Sequence, residues 1–426
     1  MRIAIIGSGI AGLYSAWRLN AGHDVTVFEA KDYAGGHTHT VDAELDGQDL
    51  AVDTGFIVFN ERNYPLFTKM LAELGVAHQA SDMSFSFSCR DSGLEYRGGE
   101  RFKGLFAQRR NLLRPSFLRM LRDIQRFNRT AAELVACPAH LSLGDYLDHK
   151  AFDGPMVDHY LLPMAGAIWS AEPRTILDFP ASRFGSFFVN HGLLQVRNRV
   201  RWRTVSGGAR QYVRAISAQL GSRLRLNTPV EWIQRLNRHV LVKAHGQPPQ
   251  EFDAVVIACH SDQALRLLRD PAAAERDILG KIRYQANEAV LHADASLMPR
   301  RRRAWAAWNY HRLGATADGL ASVTYNLSTL QNLPGRQPLL VTLNTSAAVD
   351  PGKILMRTVY DHPVFDATSL GAQQRRHEIS GQRRTWYCGA YWGYGFHEDG
   401  AASAAAVCDD IEQYSRDQEL PLQGTG

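Results

Sequence analysis

Three glycines near the start of the chain set the first chemical expectation. Gly7-Ser8-Gly9-Ile10-Ala11-Gly12 follows the apolar run Ile3-Ala4-Ile5-Ile6, and an acid, Glu29, comes 22 residues after Gly7. In such a pattern the first glycine allows a tight turn and the second lets a pyrophosphate lie against the backbone. The third lets a helix pack closely on a strand. Amides at the helix start, those of Ile10 and Ala11 among them, are unpaired donors at the positive end of the helix dipole, which suits a phosphate. The Glu29 carboxylate, with Ala30 next in the chain, can accept hydrogen bonds from ribose hydroxyls and would repel a 2′-phosphate. The chemistry is the binding of an adenine dinucleotide.

A second glycine pair says which one. Gly35-Gly36-His37-Thr38-His39-Thr40 follows Glu29 closely, and Asp53-Thr54-Gly55-Phe56-Ile57 comes next. A nicotinamide-binding domain would continue with another helix and strand. Here the backbone returns toward the nucleotide, as the longer FAD requires. At the far end Trp386-Tyr387-Cys388-Gly389 reads as a short strand, and Gly400-Ala401 opens an alanine-rich helix to about Tyr414. That helix start offers a second set of amides to phosphate. Trp392, Tyr394 and His397 fall in the glycine-rich loop between, where side chains should project toward the flavin and meet substrate.

Holding these residues takes a buried strand at 2–6, a helix to about Asn20, a second strand at 24–29 and a third, Asp253–Ala258, returning to the same sheet. His260 after that third strand is expected to cap the next helix, and Cys259 to be an inert core thiol. A chain of 426 residues exceeds what one core usually accommodates, so two domains are expected.

Composition narrows the class. The chain is 45% hydrophobic and 21% charged, which excludes disorder. Its five cysteines form no C-x-x-C pair, which argues against a disulfide framework, zinc or any other metal site. No run of eighteen apolar residues occurs, so a soluble cytoplasmic protein is expected. The net charge of +5 is mild, and 41 arginines against seven lysines do not read as nucleic-acid binding. The charge is unevenly placed, however: residues 101–130 carry nine basic groups against Asp123 alone, +8 there and −3 over the remainder. Within them Ser116–Ala136 is an amphipathic helix, with Phe117, Met120, Leu121, Ile124, Phe127, Ala131, Leu134 and Val135 on one face. Arg119, Arg122, Arg126 and Arg129 lie opposite, as a solvated surface or, in the second reading, a peripheral contact with anionic membrane at the inner face. The run Arg300–Arg303 is a solvated loop or an addition to that patch.

In sum the order of motifs resembles the flavin-dependent amine oxidase, protoporphyrinogen oxidase and phytoene desaturase superfamily. The matches are Gly7-x-Gly9-x-x-Gly12, Glu29, Gly35-Gly36, Asp53-x-Gly55, Tyr64-Pro65, Leu71-x-x-Leu74-Gly75, Gly166 to Pro173, Gly207-Gly208, Thr228-Pro229-Val230, Asp253 to Ala258, and Cys388-Gly389 to Gly400-Ala401. The resemblance implies an α/β fold: a Rossmann-like FAD-binding domain (GR2-type) interleaved with an α+β substrate domain. The first would take 1–80, 203–265 and 380–426, the second 81–202 and 266–379. It implies that Val230 holds the adenine edge, that Gly55, Phe56 and Ile57 lie near the isoalloxazine, and that 389–401 reaches the ribityl chain and pyrimidine ring.

Two departures stand out. The family's arginine after the glycine pair is His37 here, and the lysine that reaches flavin N5 through water is Asn287, the nearest lysine being Lys281. A closer resemblance, to bacterial flavoproteins associated with cyclopropane and other modified membrane fatty acids, implies an oxidase or desaturase. Hydride would pass from a substrate C–H to FAD, with His397 or Glu288 as base and Tyr394 facing the substrate, an apolar acyl chain or modified fatty acid. The alternatives are oxidation of a small amine, or a non-catalytic FAD-binding partner protein at the membrane surface.

Overall fold

The computed structural model describes residues 1–98, 102–195, 200–312 and 322–419. Its first sheet is parallel throughout, in the order 224–225, Asp24–Phe28, Arg2–Ile6, Ala254–Ile257, Thr385–Tyr387. Ile3, Ala4, Ile5, Val25, Val27, Val255 and Val256 are all 0% exposed. Strands covered on both faces lack polar alternation, which is why these read as continuous apolar runs. One face takes the helices Ile10–Leu19 and His397–Glu419, whose Leu13, Ala401, Ala404 and Val407 share a core with Ile3 and Val256. Small residues let these two helices approach: a Cβ on Gly400 would sit 2.7 Å from Ile10 Cγ2. The other face is covered by the antiparallel ribbon Val230–Arg235, Val240–Ala244 and Gln250–Phe252.

The second large sheet is mixed and seven-stranded, in the order Ile354–Pro363, Tyr284–His292, Leu340–Leu343, Val323–Asn326, Trp308–Arg312, Phe85–Cys89, Glu95–Gly98. Helices between residues 115 and 190 cover one part of it through Phe117, Phe127, Phe184 and Phe188. The hairpin Thr40–Leu45/Gln48–Asp53 packs elsewhere on it through Leu50 and Val52 against Leu291 and Val341. Strands of the parallel sheet fall within 1–80, 203–265 and 380–426, and those of the mixed sheet within 81–202 and 266–379. A small sheet of 59–60, Trp202–Val205 and His78–Ser81 lies between these segments of chain. No described helix is long and apolar enough to cross a membrane.

Two elements differ from expectation. The amphipathic helix splits at Thr130 into Pro115–Arg129 and Ala131–Val135, and Val135 is exposed. Its buried face also carries Asp123, which Arg119 and Arg122 approach at 3.5 Å, so part of the arginine stripe serves its own helix. The terminal helix begins three residues before Gly400, at His397, because Glu398 and Asp399 place acids in its first turn.

Candidate active site

The glycine segments meet in space. Gly7 N donates to Phe28 O at 2.8 Å and Gly35 N to Ser8 O at 3.0 Å, joining the first loop to the second strand and to the glycine pair. A Cβ on Gly12 would run into the Gly7 carbonyl oxygen, and one on Gly36 would lie 3.0 Å from Gly9 Cα. By contrast, a Cβ on Gly9 would meet nothing within 4 Å. The backbone is thus tight everywhere except where Gly9 faces open space, the shape a pyrophosphate needs. Ala11 and Ala401, on the two packed helices, are buried there together.

Glu29 is nearly buried and orders this loop: it accepts from Ser8 N at 2.9 Å, Ser8 Oγ at 2.5 Å and Lys31 N at 2.9 Å. Ala30, just past it, is exposed. Thr228 N donates to Glu29 O at 2.8 Å, which brings Val230 to the same edge of the sheet. Gly389 is held by Ser403, whose Oγ accepts from Gly389 N at 2.9 Å.

His37 stands where a charged arginine was expected. Its ring packs against Tyr360, His362 and His260 with centroids 5.1, 5.5 and 5.9 Å away, and its Nε2, out of contact with solvent, has no partner among the described residues. Removal from water holds it well below the usual imidazole range, and the neighbouring histidines reinforce this. Asn287, fully buried, points into the same cluster: its Nδ2 is 2.9 Å from His362 Nδ1, and its Oδ1 accepts from Asn344 Nδ2 at 2.7 Å. Desolvation lowers His362 to about 4. Lys281 is remote from this network and pairs with Asp277 at 2.8 Å. The wall is therefore polar but uncharged. As for the neighbouring expectations, His260 does occupy the N-cap of Ser261–Leu267 while its ring stacks on Tyr284, and desolvation pushes the Cys259 thiol up to about 12.

The three residues expected to act on substrate are not brought together. His397 is buried, its ring stacked on Phe56 at 3.5 Å between centroids and its Nε2 2.8 Å from Thr38 Oγ1 and 3.2 Å from Tyr212 OH. Desolvation lowers it to about 3, so it is neutral near pH 7 and ties the Thr38 and Gly55–Ile57 segments to the terminal helix. Tyr394 lies under the Arg183 guanidinium, 4.3 Å from ring centroid to Cζ, and 5.5 Å from Phe187. Glu288 follows Asn287 in a strand and so faces the opposite side, where Arg357 and Ser346 bind its carboxylate. That contact removes it from the cluster in which a base was expected.

A cavity of about 1340 Å³ opens beside this region. Met164, Ile168, Phe85, Phe106, Leu193 and Trp308 give it apolar walls, while Arg97, Arg109, Arg201, Arg203 and Arg303 line it with Asp82 as the one acid among the described residues. Trp202 and Arg203 are wall residues; the next residue, Thr204, donates through Oγ1 to the Ile57 carbonyl at 2.8 Å. Its wall is thus joined directly to the segment expected beside the flavin ring. His191, also on the wall, stacks on Phe187 and approaches Phe396, next to His397. Spacing alone did not point to His362, Tyr360, Asn344, Tyr212, Arg97, Arg201 or Arg203; Arg109 and Arg303 fall in the basic runs already noted, read there as surface. The alternation in Arg201-Trp202-Arg203 was a further available signal.

The pattern that defines flavin containing amine oxidoreductases matches residues 10–337. The chain belongs to that family. Among curated proteins this flavin amine oxidoreductase is similar to the putative flavin-containing monoamine oxidase AofH of Mycobacterium tuberculosis, 26% identical over 395 residues, 88% of this chain and 77% of that one. Among solved structures, a triple mutant of putrescine oxidase superposes with a TM-score of 0.70 at 17% identity, over 97% of this chain and 99% of the other. A CLA-producing fatty acid isomerase from P. acnes superposes at 0.66 and 16% identity, over 97% and 98%. At such identities the likeness is one of fold.

As a member of the family, the protein is an FAD-dependent oxidoreductase. The residues present fit that cofactor. The open space at Gly9, the close glycines around it, Glu29 beside the Ser8 amide and the unpartnered Nε2 of His37 make a cradle for a nucleotide. Gly7, Gly9, Ile10, Ala11, Gly12, Gly35 and Gly36 would hold the phosphates with Gly400 and Ala401, Glu29 the ribose, and Val230 the adenine edge.

Proposed function

We propose that this flavin oxidoreductase acts on a long acyl chain carrying an anionic carboxylate or phosphate head. The observation that carries the reading is the charge of the cavity: among the described residues five arginines line it, of which Arg203 pairs with Glu61 at 2.9 Å, and the one described acid on the lining, Asp82, is paired with Arg97 at 3.0 Å. An ammonium ion entering there would find no free carboxylate among the described lining residues. A carboxylate or phosphate would find guanidinium groups suited to two-point hydrogen bonding. Arg109, Arg201 and Arg303 are exposed and have no ion pair among the described residues. The volume also exceeds the ~300–1,000 Å³ usual for small-ligand sites, and its apolar walls suit a hydrocarbon.

Bound FAD supplies a two-electron acceptor, so the reaction is oxidation at a substrate carbon. The chain's own residues orient and exclude water. Thr204, next to the wall residues Trp202 and Arg203, connects the acyl cavity to the Ile57 backbone; His397 fixes Phe56; Asn287, His37 and His362 present neutral hydrogen-bonding groups rather than a cation. Oxidation of a small amine is the second reading, supported by the family and by the name of the mycobacterial relative. Against it stand the arginines and the uncharged Asn287.

Binding separates the two. Purified holoenzyme titrated with oleate, dispersed phosphatidylglycerol or oleylamine should show perturbation of the flavin spectrum by at least one of the anions, at concentrations about tenfold below any effect of the amine. Tighter binding of oleylamine than of both anions would reject the proposal.

A further inference from the structure

Leu112, Leu113 and Leu118 are 52, 86 and 45% exposed, within seven residues of one another. They sit on the 3-10 turn Arg109–Leu113 and the first turn of the helix Pro115–Arg129. Scattered exposed leucines are ordinary on a soluble surface, but a cluster rimmed by charge marks an interaction site. This cluster is rimmed by Arg109, Arg110 and Arg114, none ion-paired with a described acid. Arg110 and Arg114 instead donate to the carbonyls of Gly93 and Ser92, at 2.5 and 2.9 Å, which fixes the turn against the loop at 92–93. Most arginines further along the helix are occupied differently: Arg119 pairs with Asp153 at 2.5 Å, Arg122 approaches Asp123 at 3.5 Å, and Arg126 donates to Ala151 O and covers the Phe152 ring, while Arg129 is exposed. Positive charge without an ion pair and clustered exposed leucines therefore coincide at 109–118.

We propose that this corner docks on an anionic phospholipid bilayer, with the three leucines entering the acyl layer and Arg109, Arg110 and Arg114 at headgroup level. Two observations choose that occupant. Apolar side chains flanked by unpaired cations match an interface of hydrocarbon beneath anionic headgroups. The corner also shares Arg109 with the cavity lining, which Phe106 joins three residues earlier, so docking there would bring the cavity to the bilayer surface. Docking deepens the acyl-chain reading but is measured without turnover, so either can fail while the other stands.

The test is sedimentation of the holoenzyme with phosphatidylglycerol/phosphatidylcholine vesicles, and with pure phosphatidylcholine, at low and high salt. The expected result is binding to the anionic vesicles that is at least tenfold stronger than to neutral ones and weakens with salt. Leu113→Asp should lose about tenfold of that binding while keeping its flavin content. Val359→Asp, at a residue 54% exposed on the strand Ile354–Pro363, should bind as the unsubstituted protein does. Equal binding to neutral and anionic vesicles, no effect of Leu113→Asp, or an equal loss with Val359→Asp would overturn the proposal. So would a Leu113→Asp variant that changes oligomeric state in light scattering but not vesicle binding, which would assign the corner to a second copy of the chain.

Discussion

Asn287 Nδ2 lies 2.9 Å from His362 Nδ1, across the pairing of the strands Tyr284–His292 and Ile354–Pro363. The contact puts an uncharged group where the family's lysine was expected. Replacing Asn287 with Leu leaves His362 Nδ1 and Asn344 Nδ2 without this partner in a dry setting. The expected cost is about 1–3 kcal/mol of stability, read as a lower unfolding temperature together with a shifted flavin spectrum. An unchanged spectrum would separate this network from the cofactor.

Gly9 and Gly12 make a matched pair. A Cβ at Gly9 meets only open space, whereas one at Gly12 meets the Gly7 carbonyl. Gly9→Ala is therefore expected to leave the apoprotein's unfolding temperature nearly unchanged and to weaken FAD binding by tenfold or more, measured by flavin release on dilution. Gly12→Ala should lower both.

The cavity arginines predict a kinetic split. Arg201→Ala and Arg303→Ala, at exposed positions on the cavity lining, should each raise KM for an acyl carboxylate roughly tenfold with little change in kcat. Neither should raise KM for an alkylamine; the steady-state constants of the two variants decide it.

Stability should fall in acid. Desolvation holds His191, His292, His311 and His362 at about 4, His397 at about 3, and His37 well below the ordinary range. Unfolded imidazoles take up protons near 6.5, so these six contribute stability above that pH and lose it as the pH falls toward 4. Asp53 and Glu398 are pushed up to about 7 and Asp399 to about 6, again by desolvation first. Their contribution runs the other way, complete below about 4 and lost as pH rises through 6 to 7. Six groups outweigh three across the shared window. The unfolding temperature of the apoprotein should drop between pH 7.5 and 5; a rise would show that the carboxylates dominate.

Local spacing made the nucleotide loop legible. Gly7, Gly9, Gly12 and Glu29 act within one strand–helix–strand unit, so their order already implies their geometry. The substrate side was less so, because its residues meet through register. His362 and Asn287 come from two strands and Asn344 from the residue just after a third, and no interval in the chain announces that they touch. Glu288 illustrates the difference: beside Asn287 in a strand, it had to face away, and only the strand assignment made that visible. The cavity arginines likewise come from four separate stretches, and of these Arg109 lies in the basic run at 101–130 and Arg303 in the run Arg300–Arg303, neither of which announces a cavity.

The most direct measurement is anaerobic mixing of the purified holoenzyme with oleate, phosphatidylglycerol vesicles or oleylamine while flavin absorbance is followed. Bleaching by an acyl anion, and none by the amine, is the expected result. Bleaching by oleylamine, with both anions inert, would contradict it.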